Sequence, residues 1–269
     1  MTTEPLVSLA AGVLPEFPPE VIVAAAAEAG YPASGIWFDP GTWTDATTRR
    51  VRAELAAGAL VPLDIEVVWI RPGRAVEDAA LRLIEAGGEL GARHVLIVSA
   101  NPVLADTQHQ FGVLCERAAG AGMRAVFEFL MISEVKTLAQ ALEVVRGVGH
   151  PAGGVLVDAL HLQRCGAAPD DLRALAPALL PYAQLCDGPA ALVAPGPQAY
   201  LEDAVDGRSA PGEGGLPLAD LLNALPAGIP LSLEVRSRRY REQYSDPVAR
   251  ARAVLEQTRR FLGSLPIAR

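Results

Sequence analysis

At 269 residues, 51% of them apolar and 20% charged, the chain can bury one large core or two small ones, which excludes a disordered chain. Its net charge of −8 excludes a nucleic-acid backbone as partner, because no basic surface would offset phosphate repulsion, and no apolar run is long enough to span a bilayer. The arginines at Arg236, Arg238, Arg239 and Arg241 then mark a local anion site or a salt-bridged face. Cys115, Cys165 and Cys186 have neither CxxC nor zinc-type spacing, which points to a reduced, cytoplasmic protein. Met1–Pro5 has no basic region leading into a long apolar run, so no signal peptide is expected.

Along the chain, apolar runs of strand length alternate with helix-like segments. Strands are predicted over Val7–Ala11, Gly35–Asp39, Pro62–Trp69, His94–Ala100, Arg124–Leu130, Gly154–Leu160, Tyr182–Asp187 and Pro230–Arg236. Val95–Val98 and Val155–Val157 are apolar at every position, as in parallel strands covered on both faces. Helical periodicity runs through Ala75–Leu90, Leu138–Val148 and Leu172–Leu180, and Gly30, Gly91, Gly122 and Gly147 fit helix termination. Strict alternation implies a parallel sheet, and eight units in a chain of this length predict an α/β fold, a single (β/α)₈ TIM barrel over residues 1–269. An open doubly wound sheet is the alternative, and no GxGxxG or GxxxxGK[ST] loop supports it. The long segment after the seventh strand, about 188–216, is rich in Gly, Pro and Ala and reads as an irregular functional loop.

Barrel chemistry sits where strands end, and these strand ends are polar. They carry Asp39, Glu66, Asn101, Glu128, Asp158 with His161, Gln184 with Asp187, and Glu234 with Arg236. A carboxylate set between Phe127 and Phe129, or in Leu231–Val235, must be paired, protonated or bound to a cation. Alternation places Glu234 on the face of Ser232 and Arg236, and Glu128 on that of Val126. Ordinary ion pairs in a barrel mouth explain any one of these acids; several at successive strand ends point to oxygen-rich ligation of Mg²⁺ or Mn²⁺. Trp37, Phe38, Trp43 and Trp69 could wall a sugar or ring, or simply pack the core. Cys186 has no partner base and reads as a small buried residue rather than a nucleophile.

With these residues in order, the chain resembles the xylose isomerase-like barrel family of sugar isomerases, ketose epimerases and inosose or dehydroshikimate dehydratases. The likeness is strongest from Phe127 to Ser237. It rests on Glu128, on the Asp-x-x-His of Asp158 and His161, on Glu234 in Ser232–Arg236, and on the Arg…Pro-Gly-Glu-Gly stretch Arg208–Gly214. The resemblance implies one divalent metal ion, Mn²⁺ or Mg²⁺ foremost and Co²⁺ or Zn²⁺ as alternatives, held by Glu128, Asp158, Gln184 and Glu234. Strand seven departs from the pattern, with Gln184-Leu185-Cys186-Asp187 where the family usually has His-x-x-Asp. Gln184 can offer an amide oxygen, a weaker ligand than imidazole.

The same resemblance implies Glu128 and Glu234 as the proton-transfer pair, with His161 hydrogen-bonding a substrate oxygen or acting as an acid. Arg208, Arg236, Asp187, Glu66 and Trp37 are the candidate substrate contacts. The implied activity is a metal-dependent isomerase or epimerase on a small sugar- or polyol-derived hydroxy-ketone. A dehydratase of the inosose or dehydroshikimate type would use the same site. A metal-free glycosidase using Glu128 and Glu234, or a non-catalytic accessory subunit suggested by Gln184, are the other readings. A Schiff-base aldolase is excluded because Lys136, the only lysine, lies away from the strand ends, and an endonuclease would need more histidine ligands and a basic face. Barrels of this kind often pair through loops, so a homo-oligomer is compatible with the sequence.

Overall fold

The computed structural model describes residues 5–192 and 194–265; Met1–Glu4, on which most of the signal-peptide expectation rests, lie outside the described residues. The strands are β1 (Val7–Leu9), β2 (Ala33–Trp37), β3 (Val61–Ile70), β4 (His94–Ser99), β5 (Arg124–Glu128), β6 (Gly153–Asp158), β7 (Ala183–Leu185) and β8 (Leu231–Leu233). They pair in sequence order, all parallel, and β8 closes onto β1 to form an eight-stranded barrel. Around it run α1 (Pro19–Ala29), α2 (Asp45–Ala57), α3 (Asp78–Leu90), α4 (Leu104–Gly120), α5 (Leu138–Val148), α6 (Ala159–Arg164), α7 (Pro197–Asp206), α8 (Leu218–Ala224), α9 (Arg238–Gln243) and α10 (Pro247–Ser264). Among the described residues no helix is long and apolar enough to cross a membrane.

Local chemistry explains most boundaries. Thr44 and Thr137 open α2 and α5 with capping boxes, each side chain accepting from the backbone N–H three residues on. Gly30 and Gly91 end α1 and α3 in the left-handed conformation, at φ 90° and 73°, that glycine adopts without strain. Gly147, read as a terminator, lies inside α5; the cap is Gly149. Leu172–Leu180 is not a helix. It holds two single 3₁₀ turns, Pro169–Leu172 and Pro177–Leu179, because Pro177 forces Ala176 into extended backbone between them. The predicted sixth strand stops at Asp158, whose side chain turns to cap α6. The 188–216 segment is not wholly irregular: Pro197 supplies the first helical residue of α7.

Two apolar layers result. The main core lies between strands and helices, and β4 and β6 are buried at every residue, as their unbroken apolar runs require. Inside the barrel, Leu96, Val126, Leu156 and Tyr182 pack a smaller cluster. Below the mouth, Tyr182 on the lead-in to β7 donates across the barrel to Asp64 Oδ2 on β3, at 2.7 Å. Burial lifts the Asp64 carboxyl to about 7 even though that hydrogen bond opposes the change. The His94 ring lies 4.7 Å from that of Tyr182, and its Nδ1 donates to the Leu63 carbonyl at 2.8 Å.

Burial lowers the His94 imidazole to about 4, against an ordinary 6.5. Between those values the unfolded chain binds a proton that the folded chain refuses, so stability rises as the pH increases from 4 to 6.5. His94→Gln keeps a donor for Leu63 and removes the titration. Urea melts at pH 5 and pH 7 are expected to show about 2 kcal/mol less acid destabilisation in the variant than in the parent. Equal losses in both proteins would contradict this account of His94.

Candidate active site

The strand ends that carry acids converge on the mouth. Trp37, Glu66, Glu128, His161, Gln184, Arg208, Glu234 and Arg236 line one cavity of about 200 Å³ at the C-terminal end of the barrel. Glu128 ends β5, Gln184 is the middle residue of β7, and Glu234 follows β8. Trp37 and Trp69 also wall a neighbouring groove of about 440 Å³ that reaches Arg71 and Glu77. The Arg236 guanidinium lies 6.0 Å from the Trp37 ring centre, and that of Arg71 5.9 Å from Trp69.

Asp158 and Asp187 do not line this cavity. Asp158 is fully buried behind the wall. Its Oδ1 accepts from the backbone N–H groups of Leu160 and His161 at 2.8 and 3.1 Å, and its Oδ2 accepts from Arg208 Nη1 at 2.6 Å. Asp187 does not face the cavity. Its carboxylate is taken up by the backbone N–H groups of Gly188, Gly212 and Leu216, at 2.8 to 3.0 Å, so it shapes the loop after β7. A Cβ on Gly214 would overlap Asp187 Oδ1, which explains the glycine there.

The acids dominate the electrostatics. Glu66, Glu128, Asp158 and Glu234 are all buried, and among the described residues the guanidinium groups of Arg208 and Arg236 stand against them. Burial, and then the Asp158 charge, push Glu128 well above the ordinary carboxylate range. Burial and the charges of Glu234 and Asp64 do the same to Glu66. Glu234 is raised by burial, with Arg208 and Arg236 opposing. Burial would raise Asp158 too, yet the adjoining Arg208 charge holds it below its usual value.

His161 is neutral. Burial drives its imidazole down to about 4, and its Nε2 lies 3.2 Å from Arg208 Nη2. Arginine can only donate, so Nε2 accepts and the ring proton sits on Nδ1. The same Nε2 is 3.9 Å from Glu128 Oε1.

A metal fits this donor set. Atoms of Glu128, Asp158 and His161 lie within 4.8 Å of one another, a buried Glu/Asp/His group that could hold an ion. Among the described residues, Glu234 Oε2 is buried without a hydrogen-bond partner. An unpartnered carboxylate oxygen in a cluster with surplus negative charge is what a cation would satisfy.

α7, a helix within the segment read as an irregular functional loop, covers the site. Leu201, Ala204 and Val205 face the cavity from it. Their spacing at i, i+3 and i+4, together with Pro197, was the available signal. The segment is pinned by a buried ion pair between Arg164 and Asp203 at 2.6 Å, and by Arg208 Nε donating to the Ala204 carbonyl at 2.8 Å.

A closed barrel whose mouth gathers buried acids, an imidazole and two guanidinium groups around one small cavity defines the chain as a barrel protein with a polar cavity at its C-terminal end. The chain belongs to the xylose isomerase-like TIM barrel family, whose model matches residues 23–262. None of the curated protein sequences compared with it matches. Among solved structures it is similar to a xylose isomerase-like TIM barrel/4-hydroxyphenylpyruvate dioxygenase fusion protein, with 24% identity and a TM-score of 0.80 over 97% of this chain. The chain spans 44% of the length of that fusion protein. It is also similar to the IOLI protein with a bound zinc atom, with 17% identity and a TM-score of 0.75, covering 95% of this chain and 96% of that one. A D-allulose 3-epimerase from Methylomonas sp. has 15% identity and a TM-score of 0.68, covering 96% of this chain and 98% of that one. At these identities the structural likeness establishes the fold.

Cys186 touches the site without being reactive. Arg208 Nη1 donates to its sulfur at 3.3 Å, yet burial pushes the thiol to about 12. Cys115 is buried and likewise raised to about 12, whereas Cys165 is partly exposed. Iodoacetamide at pH 7.5 is expected to label Cys165 alone in the folded protein, and all three cysteines in urea. Native labelling of Cys186, read by peptide mass mapping, would reopen a thiol role.

Proposed function

We propose that the chain is a divalent-metal-dependent isomerase or epimerase that moves a proton at the carbon beside the carbonyl of a sugar- or polyol-derived hydroxy-ketone. The observation that carries this reading is the pair Glu128 and Glu234. Both are buried, both face one cavity, and both carboxyls are raised above their ordinary range. Interacting acids of this kind release their protons in separate steps, so one can be protonated while another is ionised. β6 and β7 lie between β5 and β8, so the two carboxyls approach a bound substrate from different sides. An acid and a base on different sides suit isomerisation or epimerisation.

Glu128, Asp158, Gln184 and Glu234 would hold the ion, with His161 adjacent. Such an ion supplies Lewis-acid polarisation of the carbonyl, and the oxygen-rich set favours Mn²⁺ or Mg²⁺ over Co²⁺ or Zn²⁺. The chain's own residues do the rest. Glu234 or Glu128 takes the proton from carbon and its counterpart returns one. Arg236 and Trp37 orient the far end of the substrate, and α7 excludes water. A dehydratase working through His161 would need Nε2 to donate to a leaving hydroxyl, and that atom accepts from Arg208 instead. The isomerase reading is therefore preferred.

The test is solvent exchange. Incubation with a panel of keto-sugars and cyclic polyol ketones in D₂O should replace the carbon-bound proton beside the carbonyl, followed by ¹H NMR. EDTA should stop exchange and Mn²⁺ restore it; exchange or hydrolysis indifferent to chelation would select a metal-free enzyme. Glu234→Gln is expected to lower exchange about 10²–10⁴-fold while the melting temperature is kept, and a fully active variant would remove Glu234 from this role. Gly12→Ala offers a second approach, because a Cβ there would overlap Glu234 Oε1 and displace the carboxylate. A loss of about 10²-fold in turnover is expected from that displacement.

A further inference from the structure

Arg208 occupies an unusual position for a substrate contact. It is 4% exposed and makes contacts in several directions within the site. Nη1 donates to Asp158 Oδ2 at 2.6 Å and to Cys186 Sγ at 3.3 Å, Nη2 to His161 Nε2 at 3.2 Å, and Nε to the Ala204 carbonyl at 2.8 Å. The oxygen of Asp158 not used in capping α6, and the lone pair of His161 that faces the cavity, are thus both bound to one guanidinium. Those atoms belong to two of the three side chains that could gather an ion. Glu234 Oε2, by contrast, has no hydrogen-bond partner among the described residues.

We infer that Arg208 is an internal rival of the divalent ion: its guanidinium already supplies positive charge at Asp158 and His161, and an ion can take the single lone pair of His161 Nε2 only by displacing it and must crowd it at Asp158 Oδ2. The inference rests on the metal reading of this site and says which residue sets its affinity. Two physical costs oppose loading. A second cation must be placed beside a buried first one, and a bond of the strong, charge-assisted class must be given up. The guanidinium is also anchored from behind by Ala204, so letting go of Asp158 strains the contact between α7 and the rest of the site. Glu128, Gln184 and Glu234 provide the donors that Arg208 leaves free. Gln184 in place of a stronger imidazole ligand makes the contest closer, since less binding energy is available to displace the arginine.

Isothermal titration of the purified chain with MnCl₂ tests this directly, comparing wild type, Arg208→Met and Arg208→Lys. Arg208→Met removes the rival charge and keeps much of the apolar stem, and is expected to bind Mn²⁺ at least about 10-fold more tightly, a change worth roughly 1.4 kcal/mol. Arg208→Lys retains a charge without the fork and should fall between. Tighter binding by Arg208→Met while wild type binds nothing would uphold the rivalry and remove metal dependence from the native chain. Equal or weaker binding by Arg208→Met, with wild type loaded, would overturn the rivalry and leave the metal reading standing. Failure of every variant to bind would overturn both. Should Arg208→Met not fold by circular dichroism, Arg208→Lys decides, tighter binding than wild type upholding the rivalry and no gain overturning it.

Discussion

A surplus of buried negative charge at the mouth constrains the rest of this molecule. Glu66, Glu128, Asp158 and Glu234 sit out of solvent, with Asp64 beneath them, and an isolated ionised carboxylate in such a place costs several kcal/mol. The chain meets that cost in three ways. Arg208 neutralises Asp158 by direct contact. Arg236 lowers Glu234 and Glu66 from a distance. The rest is left to raised affinities for protons, which Glu128 and Glu66 show most strongly. A site in that condition resists full ionisation and attracts cations.

The covering segment follows from the same constraint, because α7 is what brings Arg208 and its backbone anchor into place. The pairs that hold this segment are unequal. Arg164 and Asp203 are almost completely buried, so breaking one side would leave a bare charge in the interior. Arg238 and Arg241 meet Asp206 nearer the surface, where ion pairs contribute little. The segment is therefore firmly tied along its inner edge and loosely along its outer one, and Leu201 on α7, at the rim of the cavity, and Leu192 ahead of it remain partly exposed.

Much of this was legible in the residues themselves. Unbroken apolar runs such as Val95–Val98 fit strands covered on both faces, and eight such units in a chain of this length favoured closure over an open sheet. Acids at strand ends were visible because burial makes them conspicuous in apolar surroundings. What escaped depended on local competition or on distance. Asp158 ends a strand and caps a helix at once, so the apolar run that continues through Leu160 concealed the change. Pro177 broke a helical pattern that periodicity alone supported. The Asp158–Arg208 pair joins residues 50 positions apart, and the diversion of Asp187 to three backbone N–H groups depends on how its loop returns; neither leaves a mark in spacing.

Glycines complete the account of the acids. Gly12 lies where a side chain would overlap Glu234, Gly35 where one would meet Asp64 Oδ1 at 2.6 Å, and Gly214 where one would strike Asp187. Each of these carboxylates is seated against bare backbone, so its position is set partly by a residue with nothing to contribute chemically. Changes at the acid and at its glycine are then not independent. A relative that has lost the carboxylate is released from keeping the glycine, while one that has kept the carboxylate is not. Across related sequences the two positions should drift together, and an enlarged residue at position 12 would signal a relative in which the acid of strand eight has changed its work.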